Sequence, residues 1–124
     1  MRILVVEDTP EPRELMCFLL QAFGYTVMEA EDGEEALRLI ELERPDLVLC
    51  DIQMPKLDGY EVARRLRSQP QTANLPLVAV TAFAMRGDEA KALAAGFTGY
   101  ISKPIAPERF IGQVESFLTM VDPA

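Results

Sequence analysis

The chain of 124 residues contains no histidine and no tryptophan. Without histidine it cannot form a His-ligated metal site, a His general base or a Ser-His-Asp triad. Its two cysteines, Cys17 and Cys50, are too few for a four-thiolate zinc site or a dense disulfide framework. We interpret both as buried, reduced thiols, and we expect Cys50 to carry no chemistry.

Positive charge is scarce, because 12 Lys and Arg residues face 20 Asp and Glu residues and the net charge is -8. Nucleic acids and anionic membranes bind concentrated positive charge, so neither is expected as a partner. The longest nearly apolar stretch, residues 75–85, is too short to cross a bilayer. No signal peptide is recognisable, and the expected location is the cytoplasm.

Five short apolar runs alternate with helical patterns along the chain. The runs are residues 3–6, 25–28, 47–50, 77–80 and 99–102. They are mostly continuous rather than alternating, which is typical of strands covered on both faces in a parallel sheet. Right-handed crossovers would place helices on both sides of that sheet. We therefore expect one α/β domain over residues 1–124, large enough to fold without a metal or a disulfide.

The first helix is predicted to begin with Thr9 as its cap and Pro10 at its first position, and to stop at Gly24. Its apolar positions predict which side faces the core. The predicted inner face consists of Leu15, Leu19, Ala22 and Phe23.

Later helices carry similar signals. Asp32 is predicted to open the second helix, and Asp58 with Glu61 resembles a capping box at the third. A fourth helix is predicted over about residues 87–95, with Gly96 as its stop. A fifth is predicted to start near residue 107 and to bury Phe110, Val114, Phe117 and Leu118.

Polar residues follow the predicted strands where each one ends. Glu7 and Asp8 follow the first, Asp51 the third, Thr81 the fourth, and Lys103 the fifth. In an open parallel sheet, ligands bind outside the carboxyl ends of the strands. These side chains are therefore expected to converge on one crevice.

Three carboxylates in one crevice repel each other by about 4 kcal/mol per pair at about 4 Å and an effective dielectric constant near 20. One lysine cannot neutralise them, so either some are protonated or a divalent cation lies among them. Oxygen ligands suit Mg²⁺ or Mn²⁺ better than Zn²⁺. Metal, carboxylate, hydroxyl and lysine together are the components of a phosphoryl-transfer centre.

These residues and their surroundings resemble the receiver domain of two-component response regulators, in the CheY-like superfamily. The matching segments are residues 5–8, 51–59, 80–82 and 99–105. They occur in the family's order and spacing and cover nearly the whole chain. Residues 79–85 and 100–105 are most similar to single-domain receivers of the DivK type and to receivers of hybrid kinases.

The resemblance implies a flavodoxin-like fold with strand order 2-1-3-4-5. It implies that Asp51 accepts a phosphoryl group from phosphohistidine on a sensor histidine kinase or a histidine phosphotransfer protein. Mg²⁺, or Mn²⁺ in its place, would be held by Glu7, Asp8, Asp51 and the backbone carbonyl of Gln53. The protein would catalyse at most its own phosphorylation and dephosphorylation.

The resemblance also assigns a switch. Thr81 would hydrogen-bond the phosphoryl group and Lys103 would pair with it, and the Lys103–Pro104 peptide would be cis. Tyr100 would then rotate inward and alter the surface of the fourth helix, fifth strand and fifth helix, which a downstream protein reads. Phe83 would shield the acyl phosphate from water. The expected oligomeric state is a monomer or a weak phosphorylation-dependent dimer.

Other functions fit the sequence less well. An aspartyl phosphatase needs an acid two residues after its nucleophile, where this chain has Gln53. A flavin carrier needs a glycine- and hydroxyl-rich loop after the first strand, but residues 9–12 lack glycine. A receiver reduced to a docking module would not need the acids, threonine and lysine. A receiver module of a larger response regulator or hybrid histidine kinase stays open as an alternative.

Overall fold

In the computed structural model the described residues are 1–54, 56–82 and 88–121. The elements are β1 (Arg2–Val6), α1 (Pro10–Ala22), β2 (Thr26–Ala30), α2 (Gly33–Glu43), β3 (Leu47–Cys50), α3 (Gly59–Arg67), β4 (Leu77–Thr81), α4 (Asp88–Ala95), β5 (Gly99–Ser102) and α5 (Pro107–Val121). All five predicted strands are confirmed. The start of the predicted fourth helix, residue 87, lies outside the described residues.

The strands form one parallel sheet in the order β2-β1-β3-β4-β5, as predicted. The register pairs Val6 with both Ala30 and Cys50, and Thr81 with Ser102. The carboxyl ends of β1, β2 and β3 are therefore level, as are those of β4 and β5. Cys50 pairs with Ala79, so β4 extends two residues beyond the end of β3. The residues that follow the strands emerge at one edge of the sheet.

Both faces of the sheet are covered, which explains the continuous apolar runs. Residues 3–6, 47–50 and 77–80 are at most 1% exposed. One core cluster includes Met16 of α1 and Phe110 of α5, and the other includes Ile40 of α2 and Val62 of α3. Both cysteines are buried and free, as predicted. No helix among the described residues is long and apolar enough to span a membrane.

The start of α1 differs from the prediction in one respect. Thr9 occupies the cap position and Pro10 follows it, but the Thr9 side chain makes no capping hydrogen bond. A cap accepts from the second or third helical N–H, and Pro12 at the third position has none. The Thr9 backbone N–H instead donates to a carboxylate oxygen of Glu7 at 3.2 Å.

The predicted inner face of α1 is wrong except for Leu19, which packs half-buried against the core cluster. The buried residues are Met16, Cys17 and Leu20. Leu15 and Leu19 are half-buried, and Ala22 and Phe23 are exposed. Apolar residues at both sets of positions have helical spacing, so the pattern alone did not determine which stripe packs on the sheet.

The caps of α2 and α3 are carried by aspartates. The Asp32 carboxylate accepts from the backbone N–H of Glu35 at 2.8 Å, and Asp58 accepts from that of Glu61 at 2.9 Å. The second half of the predicted capping box is not formed, because the Glu61 carboxylate pairs with two arginines one turn further on. Arg64 and Arg65 lie three and four residues after Glu61 on the same helix face, so they bind its carboxylate in place of the Asp58 backbone N–H.

The end of α4 and the buried face of α5 agree with the predictions from the sequence. Gly96, with a φ of 118°, ends α4 as predicted. Phe110 and Val114 of α5 are buried, and Phe117 and Leu118 pack half-buried against the same cluster.

Candidate metal site at the carboxyl edge of the sheet

Three carboxylates meet at the carboxyl edge of the sheet. Glu7, Asp8 and Asp51 each place one oxygen within 4.8 Å of the others. Their proximity follows from the register, because Glu7 and Asp51 follow the paired residues Val6 and Cys50. The Asp51 backbone N–H also donates to the Val6 carbonyl at 2.9 Å. Two separate strand ends thereby form one acidic cluster, as the sequence predicts.

The three acids differ in exposure and in their contacts. Glu7 is fully buried, Asp51 is 7% exposed, and Asp8 is exposed. One Glu7 oxygen accepts from the backbone of Thr9 and the other from Lys103. In contrast, the Asp8 carboxylate makes no hydrogen bond or ion pair within the part of the chain that the structure describes. Asp8 is therefore the acid most open to a further ligand.

Lys103 reaches the cluster from the end of β5. Its ammonium group pairs with Glu7 and lies 3.3 Å from Oδ2 of Asp51. Its backbone N–H donates to the carbonyl of Thr81 at 2.9 Å, and the Lys103–Pro104 peptide is cis, as expected. One positive charge among three carboxylates leaves the cluster with an excess of negative charge.

Burial and the neighbouring charges shift the pKa values of Glu7 and Lys103. Burial raises the pKa of Glu7 from 4.5 to about 7, assisted by repulsion from Asp51 and opposed by the hydrogen bond from Lys103. Burial alone would lower the pKa of Lys103, but its hydrogen bond to Glu7 and the Asp51 charge outweigh burial, so that pKa is raised. A cation bound among the acids would offset the repulsion between Glu7 and Asp51.

The donor atoms fit Mg²⁺. They are carboxylate oxygens, the hard ligands that this ion prefers. The nearest thiol, that of Cys50, is completely buried and donates to the Asp51 main-chain oxygen at 3.2 Å. The cluster is therefore compatible with magnesium and does not offer the sulfur or nitrogen ligands of a structural zinc site.

Three further predicted site residues, Thr81, Tyr100 and Gln53, lie in β4, in β5 and after β3. Thr81 is 1% exposed at the end of β4, and Tyr100 is half-buried in β5 opposite Ala79. Gln53 is exposed, two residues after Asp51. Phe83 lies outside the described residues. The roles of Thr81, Tyr100 and Gln53 stay predictions at this point.

Arg13 is a residue of the site region that the sequence did not reveal. Its guanidinium donates to the main-chain oxygen of Glu7 at 2.9 Å. It also forms ion pairs with Glu29 in β2 and with Glu31, which directly follows β2. No sequence motif marks this contact, since it depends on how α1 is rotated against the sheet.

Gly59 brings α3 close to Asp51. Its N–H donates to the Ile52 carbonyl at 2.8 Å. A Cβ at this position would lie 2.6 Å from the main-chain oxygen of Asp51, which is closer than real Cβ atoms come. Only glycine therefore permits this tight junction between β3 and α3.

The sheet order and the acidic cluster at its carboxyl edge define a doubly wound, flavodoxin-like protein of the CheY-like class. The family model described as "Response regulator receiver domain" matches residues 3–115, and the chain belongs to this family. It is a receiver domain of a two-component response regulator, a signalling protein rather than a typical enzyme.

Known proteins of the family align along nearly the whole chain. The polar-differentiation response regulator DivK of Brucella anthropi is 42% identical over 116 residues, 94% of each chain. The receiver domain of a sensor histidine kinase from Pseudomonas aeruginosa is 34% identical with a TM-score of 0.86, covering 95% of this chain and 97% of its own. That structure holds a magnesium ion in its active site cleft. The chemotaxis regulator CheY4 of Vibrio cholerae is 30% identical with a TM-score of 0.88, covering 94% of this chain and 97% of its own.

Proposed function

We propose that residues 1–124 act as one receiver domain whose Asp51 accepts a phosphoryl group from a sensor histidine kinase or a histidine phosphotransfer protein. The observation that carries this proposal is the position of the Asp51 carboxylate, which lies among Glu7 and Asp8 and 3.3 Å from the Lys103 ammonium group. Asp51 retains slight exposure, so its carboxylate is reachable from outside.

The transfer is a displacement at phosphorus. An Asp51 carboxylate oxygen attacks, the new P–O bond forms as the P–N bond to the donor imidazole breaks, and the imidazole nitrogen leaves with the electron pair. The Lys103 ammonium group offsets negative charge on the transferring group. Its ion pair with the buried Glu7 holds it beside Asp51. Most of this work is positioning and charge stabilisation, as is usual in phosphoryl transfer.

We propose Mg²⁺, rather than Mn²⁺, as the cation of the site, held by Glu7, Asp8, Asp51 and the backbone carbonyl of Gln53. When bound, Mg²⁺ supplies positive charge that neutralises the phosphoryl oxygens. The open carboxylate of Asp8 and the magnesium ion in the related Pseudomonas aeruginosa receiver support this choice.

Phosphorylation of Asp51 would change the protein surface through Thr81 and Tyr100. The phosphoryl group adds charge and acceptor oxygens beside Asp51, to which the Thr81 hydroxyl donates. Tyr100 then moves inward and alters the face formed by α4, β5 and α5, where a downstream protein binds. In support, Tyr100 pairs with Ala79, and Thr81 lies two residues further along β4, so both side chains lie on the same face of the sheet.

Intact-mass measurement with a small phosphodonor such as acetyl phosphate tests the acceptor. With Mg²⁺ the wild-type protein is expected to gain the mass of one phosphoryl group, and with a chelator it is not. Asp51→Asn is expected to gain nothing. Asp46→Asn, a change in an exposed aspartate before β3, is the matched control and is expected to behave like wild type. Phosphoryl gain by Asp51→Asn would place the acceptor elsewhere.

The switch has a separate test by NMR. Thr81→Ala is expected to accept the phosphoryl group while the Tyr100 ring signals stay at their unphosphorylated positions. In wild type the same signals are expected to move on phosphorylation. Equal movement of the ring in both proteins would contradict the coupling of Thr81 to Tyr100.

A further inference from the structure

The Arg13 side chain joins three elements beside the acidic cluster. It is 12% exposed, and its Nη1 donates to the main-chain oxygen of Glu7 at 2.9 Å. Its Nε lies 3.2 Å from a Glu29 oxygen, and its Nη2 lies 3.4 Å from a Glu31 oxygen. The planar guanidinium thus connects α1 with the ends of β1 and β2, and a fork of donors is required to serve all three acceptors at once.

The hydrogen bond to the Glu7 carbonyl holds the peptide unit that leads into Asp8. The Glu7 carbonyl and the Asp8 nitrogen belong to one planar peptide unit, so fixing the carbonyl also fixes the direction in which the chain enters Asp8. The N–H of Glu7 is held by the Ala30 carbonyl at 3.0 Å. Within the described ranges no hydrogen bond holds the Asp8 carboxylate itself. The peptide unit that Arg13 holds is therefore the hydrogen-bonded part of the backbone nearest to the Asp8 side chain.

We infer that Arg13 is a positioning residue for the divalent-cation site, which orients Asp8 without touching the cation. This inference rests on the magnesium site of the proposed function. Charge and geometry make opposite contributions here. A positive side chain near the cluster repels a cation, so its removal would by itself tighten binding. Weaker binding by a folded variant that lacks the guanidinium would then reflect lost positioning of the acids rather than lost charge.

Calorimetric titration with MgCl₂ on unphosphorylated protein tests the inference. Arg13→Met keeps much of the apolar stem and loses the guanidinium, and we expect its Mg²⁺ dissociation constant to be about tenfold higher than that of wild type. The matched control is Arg38→Met. Arg38 is exposed on α2 and makes no ion pair with any described residue, so its loss is expected to change the constant by less than about twofold.

An unchanged or lower dissociation constant for Arg13→Met overturns the inference. Absence of Mg²⁺ binding by wild type would instead contradict the proposed metal site, so the two failures are distinguishable. Should Arg13→Met fail to fold, as judged by circular dichroism, Arg13→Lys replaces it. Lysine keeps the charge but cannot serve three acceptors together, so binding about threefold weaker than wild type is expected, and equal binding overturns the inference.

Discussion

At the scale of single residues, Gly59 is the position where one added carbon has the clearest effect. A Cβ there would lie 2.6 Å from the main-chain oxygen of Asp51 and 2.8 Å from Cα of Ile52. Both atoms belong to the backbone, so they cannot rotate away from the added Cβ as the end of a flexible side chain could. We predict that Gly59→Ala lowers the free energy of unfolding by about 2 kcal/mol, as overpacking typically does, measured by urea denaturation.

Gly112→Ala provides the control for that experiment. Gly112 is exposed in the middle of α5, and among the described residues a Cβ added there would meet no side chain and no other element within 4 Å. Alanine favours helix over glycine by about 1 kcal/mol, so this variant is expected to be more stable than wild type. If Gly59→Ala unfolded at the wild-type urea concentration, the tight junction between β3 and α3 would be contradicted.

The residues of the acidic cluster could be identified from the sequence, whereas Arg13 could not. Glu7, Asp8 and Asp51 directly follow apolar runs that mark strands, and parallel strands end at one edge. No such rule applies to Arg13. Whether it faces Glu7 depends on the rotation of α1 about its own axis, which is determined by packing rather than by spacing.

At the scale of elements, α1 shows why that rotation was not predictable. The predicted stripe includes Leu15 and Leu19, and the observed stripe includes Met16 and Leu20, one residue further along. Both pairs are four residues apart and apolar, so their helical periodicity is equivalent. Met16 and Leu20 are buried in the core cluster that contains Phe110 of α5, whereas Leu19 packs against that cluster only half-buried.

The cap of α2 leads to a prediction with a defined pH dependence. The N–H of Glu35 holds the pKa of Asp32 below its ordinary value of 3.8. Because the folded-state pKa is the lower one, the ionised cap stabilises the fold fully above 3.8, and this contribution is lost as the pH falls through the folded-state pKa. We predict that Asp32→Ala costs about 1 kcal/mol at neutral pH and less in acid, measured by urea denaturation over a pH series.

Thr9→Ala is the matched control among caps. Thr9 occupies the cap position of α1 without a side-chain capping bond, so its truncation is expected to cost less than about 0.5 kcal/mol at every pH. A loss equal to that of Asp32→Ala would show that the two caps are equivalent, contrary to their hydrogen bonds.

At the scale of the whole molecule, Arg67 links parts of the chain that are distant in sequence. Its guanidinium donates to the Gly96 carbonyl at 2.8 Å and to the Thr72 and Ala73 carbonyls at 2.9 and 3.2 Å. These bonds tie α3 to the loop before β4 and to the turn before β5. Since several charge-assisted hydrogen bonds are lost together, we predict that Arg67→Met lowers the free energy of unfolding by about 2 kcal/mol.

Arg64→Met, on the same helix, is the comparison. The Arg64 side chain is 58% exposed and pairs with Glu61 one turn away. Exposed pairs of this kind contribute about 0.5 kcal/mol or less. Chemical denaturation of both variants should therefore separate them clearly, and similar midpoints would mean that Arg67 does not stabilise the tertiary structure.

The architecture was only partly predictable from the residues alone. Continuous apolar runs such as residues 47–50 indicated strands buried on both faces, because helices cover the sheet on each side. Periodicity does not say which strands are neighbours, and the order β2-β1-β3-β4-β5 came from the family resemblance.

The most direct test of the account is an NMR titration of the unphosphorylated protein with Mg²⁺. If Glu7, Asp8 and Asp51 form one cation site, the amide signals of residues 7–8 and 51–53 should shift together along a single saturating curve, and Asp8→Asn should weaken that curve. Shifts spread over exposed acids such as Glu34 and Glu41, without common saturation at the carboxyl edge of the sheet, would contradict the account.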